Sequence, residues 1–447
     1  MASPYLIQDI QIVNEGQIQT ADVLVEDGLI AKIGENLNAT DCAIIDGSGK
    51  FLLPGVIDGQ VHFRDPGLTH KADVSSESKA AIAGGITSYI DMPNTRPNVL
   101  SQKVLDAKYE NAKGRSWANY CFLLGVNGSN IDDVIAMDTS NHLAVTDDGL
   151  YFSDKGNILA DQPEMLEKLF ANCKSIVAIH SELESVIDAN EEKFREKYGE
   201  DVPVKLHPVI RSEDACYDAT KRAIELAKKH NARLHILHLT TAKETGLFRN
   251  DIPLEEKRIT TEVCVQHMWF NDTDYERLGT RIKWNPAIKS KKDNDGLLAA
   301  LLDDRIDFIT TDHAPHAWEE KNQTYFKAMS GAPMVQHALP AMLEFHLNGK
   351  IPLEKLVEKM CHNPARFYQI EKRGYIREGY FADLSIVDTN KPWTVAKDNI
   401  LYKCGWSPME GQTFRASITH TFVNGDLAYD NGNFSDKAAG QPLEKAT

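Results

Sequence analysis

Between residues 56 and 309 a short run of β-favouring residues recurs eight times: Val56-Ile57, Thr87-Ser88-Tyr89-Ile90, Tyr120-Cys121-Phe122-Leu123, Leu143-Ala144-Val145, Ile176-Val177-Ala178-Ile179, Leu234-His235-Ile236-Leu237, Ile259-Thr260-Thr261-Glu262-Val263 and Ile306-Asp307-Phe308-Ile309. Most intervals hold a helical stretch, as at 75–83, 163–172, 215–230 and 293–302. Strands that alternate with helices form βαβ units around a parallel sheet. Eight units suit a (β/α)8 barrel, which typically takes about 250 residues or more.

The chain has 447 residues, more than a barrel needs, and its ends have a different texture. Tyr5 to Val13 is one apolar stretch. Ala21–Val25 and Leu29–Ile33 flank Glu26-Asp27-Gly28, a hairpin signal. Ala382–Val387, Ser417–Val423 and the turn Asn424-Gly425 repeat that texture near the other end. Chain termini often lie close together. The expected α/β fold is therefore a (β/α)8 TIM-like barrel over 54–370, with a small β-sandwich domain built from both termini, 1–53 and 371–447.

Composition removes several classes of function. A formal charge of -16 argues against nucleic-acid binding, which needs a basic footprint. It also means that an anionic substrate requires a local cluster of Arg, His or metal. No run of eighteen apolar residues occurs, so no membrane helix is expected. The first sixteen residues lack the basic start and apolar stretch of a signal peptide. Seven cysteines without a CxxC pair read as reduced thiols of a cytoplasmic protein.

Barrel active sites lie at the C-terminal ends of the strands. The first run leads into Asp58-Gly59-Gln60-Val61-His62-Phe63-Arg64. The fifth ends in His180, the sixth in His238, and the eighth in Thr310-Thr311-Asp312-His313-Ala314-Pro315-His316. A lone histidine after a strand is usually a capping or surface group, but four strands ending in histidine or aspartate form a set. Imidazole nitrogen and carboxylate oxygen are ligands that zinc favours. His235 and His238 stand three apart on one strand, hence on opposite faces, so one of them at most is expected to bind metal. His207, His230 and His362 lack such context and read as structural.

These residues resemble the amidohydrolase superfamily, and within it the bacterial type of dihydroorotase. The resemblance runs through Pro54-Gly55-Val56-Ile57-Asp58, Phe63-Arg64-Asp65-Pro66-Gly67 (the family's FREPG), Asp91-Met92-Pro93-Asn94-Thr95 (its MPNT), Thr311–His316 (its TDHAPH), Pro364-Ala365-Arg366 and Gly379–Leu384. It implies reversible interconversion of N-carbamoyl-L-aspartate and L-dihydroorotate in pyrimidine biosynthesis. A metal-activated water would attack the ring amide, with Asp312 as general acid/base. The implied metal ligands are His62, Asp148, His180, His238 and Asp312. Arg64, Asn94, Asn285 and His316 would contact the substrate, Arg64 by pairing its carboxylate. Relatives also suggest a homodimer.

The chain departs from the family at two places. The family begins with HxH, both histidines binding metal, and here the first is Gln60. Where many relatives carry a carboxylated lysine, some bacterial dihydroorotases use the aspartate of a TDDG motif, and Thr146-Asp147-Asp148-Gly149 matches it. Asp148 is taken as the ligand, with Asp147 and Asp154 (in Phe152–Gly156) as alternatives. Bacterial N-acetylglucosamine-6-phosphate deacetylases look similar, with QxH, a carboxylate in the lysine position and one metal. The cofactor expectation is one or two zinc ions, with a mononuclear site favoured by Gln60. Two further functions compete: a catalytically silent partner of aspartate carbamoyltransferase, suggested by Gln60, and a hydantoinase- or allantoinase-type cyclic amidase, opposed by Arg64 and Asn94.

Overall fold

The computed structural model describes residues 4–138, 142–150 and 158–446. All eight expected barrel strands are present: Val56–Val61, Ile86–Asp91, Asn119–Phe122 continued by Leu124–Gly125, Val145–Thr146, Ile176–Ile179, Arg233–Ile236, Ile259–Cys264 and Phe308–Thr310. Neighbours pair in parallel in sequence order. The third strand breaks at Leu123, so that its first half pairs with the second strand and its second half with the fourth. The ring closes between the first and last strands through the bridge Val61↔His313, where His62 N–H donates to His313 C=O at 2.8 Å.

The outer helices form where capping chemistry permits. Asp73 caps Val74–Ala83 with its carboxylate on Ser76 N–H, and Ser212 caps Glu213–His230, which ends at Asn231 in the left-handed conformation. Pro163 opens Pro163–Asn172, and Ser290 caps Lys291–Leu302. Glu184–Tyr198 is a fifteen-residue helix that apolar periodicity does not announce, because Ile187 is its one buried residue. No described helix is long and apolar enough to cross a membrane.

Both ends of the chain share one nine-stranded sheet, joined where Phe51–Pro54 pairs antiparallel with Leu384–Asp388. Its core includes Ile7, Ile10, Val23, Leu52, Leu384 and Phe422. Asp27-Gly28 and Asn424-Gly425, all with positive φ, make the two expected hairpin turns. The turns pack backbone against backbone: a Cβ on Gly425 would stand 2.5 Å from Gly28 Cα. Ser385 and Thr421 tie this sheet to the barrel by hydrogen bonds to Gly85 C=O (2.9 Å) and Ile82 C=O (2.7 Å).

Polar side chains occupy the centre of the barrel. His235 Nε2 lies 3.1 Å from Glu262, whose other oxygen accepts from Thr310 at 3.0 Å. Asp58 accepts from Thr311 N–H and Oγ1 at 3.1 and 2.6 Å. Burial lifts the Asp58 carboxyl to about 7 against these hydrogen bonds. Together these bonds anchor the end of the eighth strand, two residues before Asp312.

Candidate active site

Three buried side chains from three successive strand ends converge. His180 Nδ1 stands 3.1 Å from His238 Nε2, and Asp148 Oδ1 lies 4.0 and 3.8 Å from these two nitrogens. Among the described residues this is the group that could hold a metal ion. Zinc bonds of about 2.0–2.1 Å place tetrahedral donors roughly 3.3 Å apart, so a small adjustment of Asp148 suffices. Two imidazole nitrogens facing each other at 3.1 Å, with a carboxylate beside them, suit a cation's donor set. His238 reaches it because its backbone leaves strand geometry, with φ +35. His235 on the same strand is bonded to Glu262 and Thr260 instead.

The adjacent aspartates divide. Asp147 points to backbone, accepting from His180 N–H (3.0 Å) and Leu159 N–H (2.8 Å), and burial raises its carboxyl to about 7. Asp148 turns inward. Burial opposes its ionisation, but the neighbouring His238 and His62 outweigh that and hold it well below the usual carboxylate range. Its second oxygen, Oδ2, accepts from Gln60 Nε2 at 3.0 Å and lies 3.3 Å from His62 Nε2. Asp154 lies outside the described residues.

His62 and Asp312 stand beside this triangle, paired with each other at 3.0 Å. Burial disfavours a charged His62, yet contact with Asp148 and Asp312 raises its pKa to about 9. Its Nδ1 is 2.8 Å from Asn94 Oδ1, so the expected substrate contact Asn94 is also a partner of His62. Asn94 in turn packs on the backbone of Gly149, where a Cβ would lie 2.2 Å from its amide nitrogen. That close approach, together with φ +72, explains the glycine of the TDDG motif.

His62, Arg64, Asn94, Asp148, Asn285 and Asp312 line a common narrow pocket, with Ala314, Ser330 and Gly331 along its wall. Arg64 Nε donates to Pro315 C=O at 3.2 Å, and its Nη2 lies 3.3 Å from His316 Nε2. Asn285 Oδ1 and Gln60 Oε1 are buried without a hydrogen-bond partner among the described residues. His316 sits behind Arg64, accepting from Lys71 on Nδ1 (3.1 Å) and donating from Nε2 to Ser330 C=O (2.9 Å). Burial, with Arg64 and Lys71 nearby, lowers its pKa far below the ordinary value despite Glu320. Arg64 and Asp312 have φ of +65 and +43, the kind of backbone strain that collects at functional sites.

Residues 51–428 match the amidohydrolase family. Curated proteins named dihydroorotase align along nearly the whole chain. The one from Carboxydothermus hydrogenoformans is 34% identical over 94% of this chain and 96% of its own length. That from Pyrococcus furiosus is 31% identical over 94% and 92%. This chain belongs to the amidohydrolase family, in its dihydroorotase branch. Among solved structures, L-hydantoinase from Arthrobacter aurescens superposes with a TM-score of 0.90 at 26% identity, covering 99% of this chain and 100% of that one. D-Hydantoinase from Thermus sp. shares the fold, with a TM-score of 0.85 at 22% identity over 99% of both chains.

Buried partners also stand behind the site. His313, next to Asp312, accepts on Nδ1 from Met334 N–H (3.0 Å) and Val335 N–H (3.2 Å) and donates from Nε2 to Glu77 at 2.8 Å. Sequence reasoning passed over Glu77, since a glutamate in an amphipathic helix reads as solvated. It passed over Glu182 as well, which lies 2.8 Å from His180 Nε2. There a signal existed: two positions beyond a strand-end histidine, a side chain can return to the same side.

Proposed function

We propose that this protein is a dihydroorotase, interconverting N-carbamoyl-L-aspartate and L-dihydroorotate in pyrimidine biosynthesis. Arg64 carries this reading: a buried guanidinium shares a pocket with Asp312, His62 and Asp148. A substrate that joins a carboxylate to a cyclic amide would satisfy both ends of that cavity, whereas a plain hydantoin or dihydropyrimidine would leave the guanidinium unpaired. Asn285 and Asn94 would offer amide contacts to the ring, and His316 would support Arg64 from behind.

Asp148, His180 and His238 would hold one zinc ion, with a fourth position open. A bound divalent cation acidifies a water and polarises a carbonyl oxygen. Asp312 would take the proton of the attacking water and deliver it to the ring nitrogen as the amide C–N bond breaks, and would run the same transfer backwards in ring closure. His62, within hydrogen-bond distance of Asp312, would orient it. A single ion is supported by Gln60, whose amide donates to Asp148 Oδ2 where an imidazole would offer a further ligand. We place this chemistry in a barrel unit spanning 54–370, in a cytoplasmic homodimer.

Turnover of L-dihydroorotate by the purified, zinc-reconstituted protein tests the proposal, with Asp312→Asn as control. We expect turnover that falls about 10²–10⁴-fold in the control. A folded, zinc-loaded protein without turnover would instead favour the silent partner of aspartate carbamoyltransferase, the role that Gln60 suggests, and copurification with that enzyme would then be sought.

A further inference from the structure

We propose that Glu182 is the positioning residue for His180, fixing the imidazole through its remote nitrogen so that Nδ1 faces the metal position. The inference rests on the reading of His180 as a metal ligand. His180 and Glu182 are both fully buried. His180 has two ring nitrogens with two different tasks. Nε2 stands 2.8 Å from Glu182 Oε2, while Nδ1 faces His238 Nε2 and Asp148 Oδ1. A carboxylate only accepts, so Nε2 carries the proton and donates it. The neutral ring must then present a lone pair on Nδ1, the atom at the triangle. One hydrogen bond thus sets both tautomer and orientation.

Glu182 is itself held. Arg211 Nη1 forms an ion pair with the same oxygen that receives the His180 proton. Arg211 follows the helical turn His207–Ile210, and the buried ring of His207 clamps that turn, with Nε2 2.6 Å from Trp284 C=O and Nδ1 2.9 Å from Tyr325 Oη. The backbone of His180 has a separate anchor, its N–H donating to Asp147 at 3.0 Å. Glu182 therefore fixes the ring and Asp147 the main chain.

The test is zinc affinity of the full-length protein by chelator competition, together with the visible spectrum of the cobalt(II)-loaded protein. Glu182→Ala should weaken zinc binding about 10–100-fold, the usual effect of losing such a partner, and should shift the cobalt bands as the ring reorients. Glu182→Gln keeps the size and one acceptor oxygen but not the charge, so it should lose less affinity and keep a spectrum nearer the parent's. It also serves if the alanine variant fails to fold. Parent-like affinity and spectrum in Glu182→Gln and Glu182→Ala would overturn the positioning role. His180→Ala separates this from the underlying assignment. If it too binds zinc like the parent, the metal reading itself fails; if it alone loses zinc, only the role of Glu182 fails.

Discussion

Replacing Arg64 with methionine should erase a preference rather than the chemistry. Arg64 is 5% exposed, and its guanidinium borders the cavity that also contains Asp312. A carboxylate seated there would receive two charge-assisted hydrogen bonds, each contributing about 1.5–3 kcal/mol. Removing the cation lets water solvate part of the carboxylate, so the lower end of the sum, about 3 kcal/mol, is the better figure. At 1.4 kcal/mol per decade this is roughly a 100-fold loss of kcat/KM. The assay compares L-dihydroorotate with dihydrouracil, the same ring without the carboxylate. Arg64→Met should lose roughly 100-fold on the first and only a few-fold on the second. Arg64→Lys keeps the charge but loses the planar fork, and should recover about tenfold. An equal loss on both substrates would refute the assignment, because Arg64 would then be supporting the site through Pro315 and His316.

Metal analysis should find one equivalent of zinc in the parent protein, and Gln60→His, which restores HxH, should raise the second equivalent's occupancy; two full equivalents in the parent would contradict the single-ion site. In metal-stripped protein, His62 is raised from 6.5 to about 9 by Asp148 and Asp312 against the cost of burial. Its contribution, on the order of 3 kcal/mol, is fully present below pH about 6.5 and is lost as pH rises through about 9, so thermal stability should fall across that window and His62→Gln should flatten the fall. Gly425→Ala should lower the unfolding free energy by at least about 1–3 kcal/mol, read by urea titration, since it combines φ +79 with a Cβ placed 2.5 Å from Gly28 Cα; an unchanged midpoint would mean that the two turns separate easily.

The barrel was legible because its strands are short apolar runs ended by polar residues, and His180 and His238 were legible because they fall where such runs stop. What escaped depends on tertiary geometry. Alternation puts His235 and His238 on opposite faces, but one left-handed residue, His238 itself, decides where its ring goes. Nothing local distinguishes Asp147 from Asp148; the choice is made by the backbone donors of Leu159 and His180, which claim the first and leave the second for the triangle. Glu184–Tyr198 is helical without an apolar stripe, so its pattern carried no signal. The partners Asn94–His62 and Glu77–His313 pair residues on separate elements, and no spacing rule predicts which will meet.

Gln60 fits a site built for less positive charge. Asp148 and Asp312 bring two negative charges into a buried space beside His180 and His238, whose rings are neutral when they act as ligands. One divalent cation would offset the two carboxylates, with the Arg64 guanidinium and a His62 pushed toward its charged form adding positive charge beside them. A second would add two more positive charges where water is scarce, a costly arrangement in a low-dielectric interior. An imidazole in place of Gln60 would supply a lone pair suited to that second cation. The amide supplies an N–H donor instead, bonded to Asp148 Oδ2. His62 stands between Asp148 and Asp312. On the single-ion reading the substitution would be coupled to the aspartate at position 148: a carboxylate shared by one cation and the Gln60 amide would leave the HxH motif without need of its first histidine, while Asp312 keeps His62 beside it.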